Sequence, residues 1–96
     1  MDLKTIVERL NKLKPIIQKE YAVKGIGVFG SYLKGEHKGK SDLDILVDFY
    51  YPIGLLKFVD LKIKLSHLPG IKVDLVMKSA LKPRIGKRIL NEVRYV

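Results

Sequence analysis

The stretch GSYLKGEHKGKSDLDILVDF, residues 30–49, decides the fold and the chemistry that we expect of this 96-residue chain. Its second half, DLDILVDF, alternates acidic and apolar side chains, which is the period-two pattern of a strand with one buried face. The apolar face contains Leu43, Ile45, Val47 and Phe49. Asp42 and Asp44 begin the opposite face, and crowded or buried carboxylates cost free energy unless something positive meets them. The strand therefore opens with two acids that need a cationic partner.

Two further runs predict strands, one before and one after this strand in the chain. VKGIGVFG, residues 23–30, is short, partly alternating and closed by glycine, and IKVDLVM, residues 71–77, is a mainly apolar run. Residues 31–36 between the first two strands predict a short helical turn. With the helices, the element order is α, β, short α, β, α, β, α, which is typical of an α/β (α+β) fold with helices packed on a small sheet. We expect one domain, residues 1–96, and the pattern leaves parallel and antiparallel pairing open.

Three helices complete the prediction. Apolar residues at helical spacing predict a first helix from Leu3, capped by Asp2 and kinked or divided by Pro15. A second begins at Pro52 and ends at the LPG of residues 68–70, and a third opens at LKP, residues 81–83. We expect the apolar residues of both to point inward, namely Leu55, Leu56, Val59 and Ile63 on one and Ile85, Ile89, Leu90 and Val93 on the other. Tyr50 and Tyr51 either pack or cover the site of the two acids, and packing is the preferred interpretation.

Composition excludes some classes of function and favours others. The chain contains no cysteine, which excludes disulfides and thiolate metal sites. We see no signal peptide and no window near the roughly 18 apolar residues of a membrane span, so we expect a cytoplasmic protein without a membrane partner. The net charge of +9 attracts phosphates or acidic partners. The basic residues are mostly scattered lysines without a basic-aromatic stripe, so direct nucleic-acid binding is the weaker interpretation.

The acids predict a metal site next to a phosphate site. Asp42 and Asp44 project from one face, and Asp74 lies in the third strand, from which it can join them if the two strands are neighbours. Oxygen-only ligands favour Mg²⁺ or Mn²⁺, and three carboxylates can hold two ions about 4 Å apart for phosphoryl chemistry. Gly30 and Ser31 would hold a phosphate, with Lys34 and Lys40 adding positive charge.

Each feature also has a simpler explanation when taken alone. A Gly-Ser pair is usually a turn, and two acids at a strand edge are often solvated. Asp74 could instead pair with a lysine at the end of its strand. The order and spacing of all the features together are much more specific than any one of them.

The quoted stretch resembles the G-S-x-x-x-G and S-D-x-D signature of nucleotidyltransferases of the DNA polymerase β superfamily. The length, the downstream KVDLV and the closing LKPRIGKRILNEVRYV are similar to the minimal nucleotidyltransferases, and within them to the MntA-type antitoxins encoded beside HEPN-domain toxins. The resemblance implies a mixed sheet with the catalytic acids on neighbouring strands. It also implies transfer of AMP from ATP to a tyrosine of a HEPN ribonuclease toxin, which silences that toxin.

The resemblance implies a role for each matching residue. Gly30 and Ser31 would bind the triphosphate, Asp42 and Asp44 would ligate both metal ions, and Asp74 would ligate the ion that activates the acceptor hydroxyl. The family often has Ala-Arg where this chain has Leu33-Lys34, and lysine keeps the charge but loses the bidentate fork of arginine. Larger relatives carry an added helical domain that helps to hold the base. We expect the toxin to complete the site here.

Two other functions compete with this enzyme. An antitoxin could neutralise its HEPN partner by stable contact, with the acids catalytically dispensable and the apolar side of residues 85–93 as the interface. A nucleic-acid binder driven by charge is the third hypothesis, and it requires an affinity that falls steeply with salt.

Overall fold

The computed structural model, which describes residues 2–35, 42–67 and 71–96, follows the predicted order of elements with one strand added. Neither Lys40 nor residues 68–70, named above, lie among the described residues. The elements, in chain order, are α1 (Leu3–Tyr21), β1 (Val23–Phe29), α2 (Ser31–Lys34), β2 (Leu43–Phe49), α3 (Leu55–Ser66), β3 (Val73–Met77), a 3₁₀ turn (Lys78–Ala80), α4 (Pro83–Glu92) and β4 (Arg94–Tyr95).

The four strands form one mixed sheet in the order β3-β2-β1-β4. β1 pairs antiparallel with β2 and with β4, whereas β2 and β3 are parallel. α3 makes the crossover between these parallel strands, as a parallel connection requires. The mixed sheet that the resemblance implied is therefore confirmed.

The main core lies between the sheet and the helices α1 and α3. Leu43, Ile45 and Val47 of β2 are at most 1% exposed, as the alternation predicted. The residues of α1 and α3 in the same cluster are Ile6, Leu10, Ile17, Tyr21, Leu61 and Leu65. A hydrogen bond from the Tyr21 hydroxyl to the carboxylate of Asp60 and a 2.6 Å ion pair between Lys64 and Glu20 join the two helices. These contacts join α3 to α1, and the burial of Leu61 and Leu65 shows which side of α3 faces the core.

The prediction that Pro15 divides α1 is wrong. The helix runs unbroken through Pro15 for 19 residues. Proline removes only its own N–H and one hydrogen bond, and the buried stripe continues on both sides of it, so packing outweighs the local cost. The predicted cap is confirmed, because the backbone N–H of Thr5 donates to Oδ1 of Asp2 at 2.9 Å.

The predicted inward faces of the last two long helices are largely wrong. On α3, Leu55, Leu56, Val59 and Ile63 are all more than 40% exposed, while Leu61 and Leu65 are buried. The helix carries two apolar stripes, and the contacts with α1 select the second. On α4, Ile85 and Leu90 are 59% and 40% exposed, whereas Ile89 and Val93 are half-buried.

Gly27 allows the end of the chain to lie close against the sheet. A Cβ at this position would lie 2.7 Å from Cγ2 of Val93 and 2.9 Å from the carbonyl oxygen of Arg94. Since one of these neighbours is backbone, we expect Gly27→Ala to lower the free energy of unfolding by about 1–3 kcal/mol in urea titrations.

The matched control is Gly25→Ala in the same strand, where a Cβ would meet nothing within 4 Å. Neither glycine has a positive φ. We expect Gly25→Ala to be neutral or to stabilise by up to about 1 kcal/mol. Equal losses in the two variants would show that the approach of β4 does not depend on Gly27.

Candidate active site

The register of the parallel strands sets two of the predicted acids side by side. Asp44 of β2 is the Cα partner of Asp74 of β3, and on the other side it is the partner of Phe29 of β1. Paired residues project from the same face of a sheet, so both carboxyl groups stand on the face opposite Leu43 and Ile45. The two strands are neighbours, as the prediction of a shared site required.

The third acid, Asp42, lies just before β2 and is half-buried. The pKa of Asp44 is raised from an ordinary value of 3.8 to about 6, first by burial, then by the negative charges of Asp74 and Asp42, and also by a hydrogen bond with Asp74. Asp42 therefore acts on Asp44 through its charge, while Asp74 also makes direct contact. Such mutual destabilisation is what a bound cation relieves.

This raised pKa predicts how stability depends on pH. A carboxyl whose pKa rises on folding stabilises the fold below its unfolded pKa, and that contribution is lost as pH rises through the folded pKa. We therefore expect Asp44→Asn and the wild type to have the same free energy of unfolding below pH 3.8. The variant should become the more stable protein as pH rises from 3.8 to about 6, and the difference should stay constant above that. Because Asp44 is only half-buried, the plateau should be about 1 kcal/mol.

The measurement is urea denaturation of both proteins from pH 3.5 to 8, in chelator so that no divalent ion contributes. The difference between their free energies of unfolding removes the contributions of the other titrating groups, which the two proteins share. A difference that does not vary with pH would contradict the raised pKa.

Gly30 stands directly against this acid pair. Its backbone has φ 77° and ψ −148°, a conformation that is essentially restricted to glycine. A Cβ there would overlap Oδ2 of Asp44 and lie 3.0 Å from its Cγ. The predicted pair Gly30-Ser31 therefore joins the end of β1 to α2 at the point where the carboxylate of Asp44 approaches the backbone.

Lys34, at the end of α2, faces a residue that the sequence did not indicate. Its Nζ lies 3.4 Å from Oε2 of Glu92 in α4. The lysine is 41% exposed and the glutamate 25%, so the ion pair is open to solvent and worth little. No local sequence signal could have found Glu92, because the contact depends on how α4 packs against the sheet.

The donors fit the predicted divalent metal by their chemistry. The three carboxylates offer oxygen ligands only, which suits Mg²⁺ or Mn²⁺. Across residues 2–35, 42–67 and 71–96, no group of three or more His, Cys, Asp or Glu side chains already has the arrangement of a metal site. The triad is therefore a set of suitable donors that a cation would gather, and not a finished cage.

A second concave feature lies at the other end of β2. A cavity of about 320 Å³ is lined by Tyr50, Tyr51, Ile53 and Met77 among others. The tyrosines are 67% and 64% exposed, so the prediction that they pack is wrong. Asp48 at this end lies 3.9 Å from Lys78. Because the cavity is mainly apolar and its acid already faces a cation, it offers no comparable chemistry.

Comparison with known proteins settles the family. The model of the nucleotidyltransferase domain family matches residues 10–96. The chain belongs to that family. The resemblance noted in the sequence is thereby confirmed, and Asp42, Asp44 and Asp74 lie within the matched part of this nucleotidyltransferase.

Relatives and solved structures show which kind of nucleotidyltransferase this chain resembles. The nucleotidyltransferase is 49% identical over 96 residues to the protein adenylyltransferase MntA of Thermococcus cleftensis, a match that covers 100% of this chain and 97% of that protein. A solved structure described as a minimal nucleotidyltransferase is 35% identical, with a TM-score of 0.84, and the match covers 98% of this chain and 95% of that one.

Two toxin–antitoxin structures share the fold at lower identity. One contains AMP-PNP and is 23% identical with a TM-score of 0.75, covering 88% of this nucleotidyltransferase and 69% of that chain. The other holds the tri-AMPylated HEPN toxin of Shewanella oneidensis in complex with an MNT antitoxin. It is 20% identical with a TM-score of 0.69, and the match covers 94% of this nucleotidyltransferase and 70% of that chain. Within the described residues, no helix of this nucleotidyltransferase is long and apolar enough to cross a bilayer.

Proposed function

We propose that this nucleotidyltransferase is an antitoxin that transfers AMP from ATP to a tyrosine hydroxyl of a HEPN ribonuclease toxin, with the help of divalent metal. The observation that carries the proposal is the pairing of Asp44 with Asp74 across parallel strands, with Gly30 against the first of them. Transfer of a nucleotide to a hydroxyl needs a place for phosphates and a carboxylate that can take the proton of the attacking group. In this proposal the segment at Gly30 would supply the first and the acid pair the second.

The reaction assigns a role to each acid. The tyrosine oxygen forms a bond to the α-phosphorus of ATP, the bond from that phosphorus to the oxygen bridging to the β-phosphate breaks, and diphosphate leaves with the bonding electrons. Asp74, the more exposed member of the pair, would help to remove the hydroxyl proton. Two Mg²⁺ ions, or Mn²⁺, held by Asp42, Asp44 and Asp74, would neutralise phosphate charge and lower the pKa of the acceptor when bound.

The segment that follows β1 would hold the triphosphate. Gly30 exposes backbone without a Cβ, and the hydroxyl of Ser31 is the next group along the chain. Lys34 would add a positive charge once it leaves Glu92, a step that costs little because the ion pair is solvent-exposed. ATP as the nucleotide is supported by the AMP-PNP in a structure of the same fold. Because the reaction would draw on cellular ATP, we place it in the cytoplasm.

The comparisons support the proposed partner. The relative that is 49% identical is named a protein adenylyltransferase, and a structure of the same fold holds an AMPylated HEPN toxin beside an MNT antitoxin. This chain spans 97% of the first of these proteins, so the likeness is not confined to a fragment.

A second candidate keeps the same partner without the chemistry. The antitoxin would neutralise its toxin by contact alone, and the exposed Ile85 and Leu90 of α4 favour it. The two candidates differ in whether Asp42→Ala still protects cells that express the toxin. Full protection would favour contact, and loss of protection with retained folding would favour transfer.

The direct test uses the purified protein and its proposed HEPN partner. ATP labelled at the α-phosphate is added with Mg²⁺ or with chelator, and the label on the HEPN protein is followed. We expect label that depends on Mg²⁺ and that tyrosine-to-phenylalanine variants of the HEPN protein lose. No label on a folded HEPN partner would refute the transfer.

A further inference from the structure

The outward face of α4 is basic and unpaired. Arg84, Lys87 and Arg88 are all exposed, and among the described residues no carboxylate lies within ion-pair distance of any of them. Their spacing of three and four residues places the three side chains on one side of the helix. This face is the densest run of positive charge that the described helices carry.

The charges on this face oppose the stability of the helix. Arg84 and Arg88 are four residues apart and repel each other, and the first turn, at the positive end of the helix dipole, contains no acid. Glu92 stands four residues after Arg88, where it could compensate, but it pairs with Lys34 of α2 instead. Cations that the fold leaves uncompensated point to an external anion.

Two shallow grooves follow this face. One, of about 430 Å³, is lined by Arg84, Lys87, Arg88, Asn91 and Glu92. The other, of about 400 Å³, shares Lys87 and Asn91 with it. Its remaining lining is apolar at Leu81, Pro83, Gly86 and Leu90 and basic at Lys78 and Lys82. We call the two together the basic groove. It offers places for apolar side chains beside places for carboxylates.

The basic groove reaches the candidate active site through one contact. Glu92 lines the groove and also holds Lys34, which follows the proposed phosphate-binding segment by a single helical turn. A chain lying in the groove would therefore end beside the segment that we propose to hold the triphosphate.

We propose that the basic groove docks an acidic segment, with interspersed apolar residues, of the protein that accepts AMP. This inference rests on the proposed function and adds the part of the substrate that is recognised. A second copy of the chain is a poor occupant, because each copy carries a net charge of +9. Nucleic acid fits less well, because the groove has no aromatic side chain for stacking and Glu92 interrupts the run of cations.

The test compares two charge-reversal pairs. Arg84→Glu with Arg88→Glu alters the groove, and Lys12→Glu with Lys19→Glu alters exposed residues of α1 by the same net charge. Binding to the HEPN protein is measured by calorimetry without ATP, and steady-state transfer is measured separately. We expect the α4 pair to raise the dissociation constant and the KM for the HEPN protein about tenfold, with kcat and ATP affinity within twofold. The α1 pair should change neither the dissociation constant nor the KM for the HEPN protein by more than threefold.

Several results would overturn the proposal. The first is that the α4 pair binds the HEPN protein as tightly as the wild type does. The second is that both pairs lose the same affinity for the HEPN protein, and the third is that the α4 pair loses affinity for ATP. Release of a labelled RNA by the α4 pair, with HEPN affinity unchanged, would assign the groove to nucleic acid and also overturn it. If the wild type binds the HEPN protein through α4 but transfers no AMP, docking stands and the proposed reaction fails. If the wild type does not bind it, both fail.

Discussion

Asp44→Asn is expected to lower AMP transfer at least about a thousandfold, which corresponds to about 4 kcal/mol, while the protein melts at a higher temperature than the wild type. The amide is nearly the same size and can still donate a hydrogen bond to Asp74, so the strands keep their register. It carries no charge, so it neither repels the neighbouring acids nor attracts a divalent ion. Activity and stability should therefore move in opposite directions, which unfolding cannot explain.

The matched control is Asp48→Asn on the same strand and the same face. Asp48 is half-buried, and its carboxylate lies 3.9 Å from Lys78, away from the acid pair. We expect its transfer rate to stay within threefold of the wild type. Transfer is measured by α-phosphate label, melting by calorimetry, and Mg²⁺ binding by the rise in melting temperature on adding the ion. Comparable losses of activity in both variants would mean that Asp44 has no special role.

Gly30→Ala should produce the second largest effect, a loss of transfer of about a hundredfold or more. The methyl group would overlap Oδ2 of Asp44, and φ at this position is 77°. The carboxylate must move, the backbone must change, or both, and a displacement of about 1 Å in a reacting geometry can cost that much. Stability should also fall, because the strained backbone alone costs about 1–3 kcal/mol.

Gly35→Ala tests a positive φ without a displaced carboxylate, in the left-handed region that alanine tolerates better than the conformation of Gly30. Gly35 has φ 70°, close to the value at Gly30, but a Cβ there would meet nothing within 4 Å. It should lose about 1 kcal/mol of stability and keep most of its activity. A double-mutant cycle adds a check, because Gly30→Ala should destabilise less when Asp44→Ala has removed the overlapping oxygen. Equal costs in both backgrounds would show that the overlap does not matter.

The strands were predictable because their signals are local. In β2 the alternation of acids and apolar residues shows both the strand and its buried face, which the structure confirms for Leu43, Ile45 and Val47. Helix faces were less predictable. α3 carries two apolar stripes, and only contacts with α1, such as Tyr21 with Asp60, decide between them. β4 was missed because two residues give no periodicity.

The site was likewise predictable only where its signals are local. Asp44 lies on β2 and Asp42 immediately before it, and their spacing of two residues alone predicted a common face. The position of Asp74 opposite Asp44 depends on parallel pairing, which no local pattern shows and which the register supplies. The ion pair of Lys34 with Glu92 joins elements far apart in the chain and was beyond any sequence argument.

The central claim is that three aspartates from two neighbouring strands together bind divalent ions beside a nucleotide. The most direct measurement is the anomalous scattering of Mn²⁺ in crystals grown with AMP-PNP. We predict the strongest peak in direct coordination with the carboxylates of Asp42 and Asp44, with Asp74 in the same cluster. A crystal that holds the nucleotide, with its Mn²⁺ bound away from all three residues, would contradict the account.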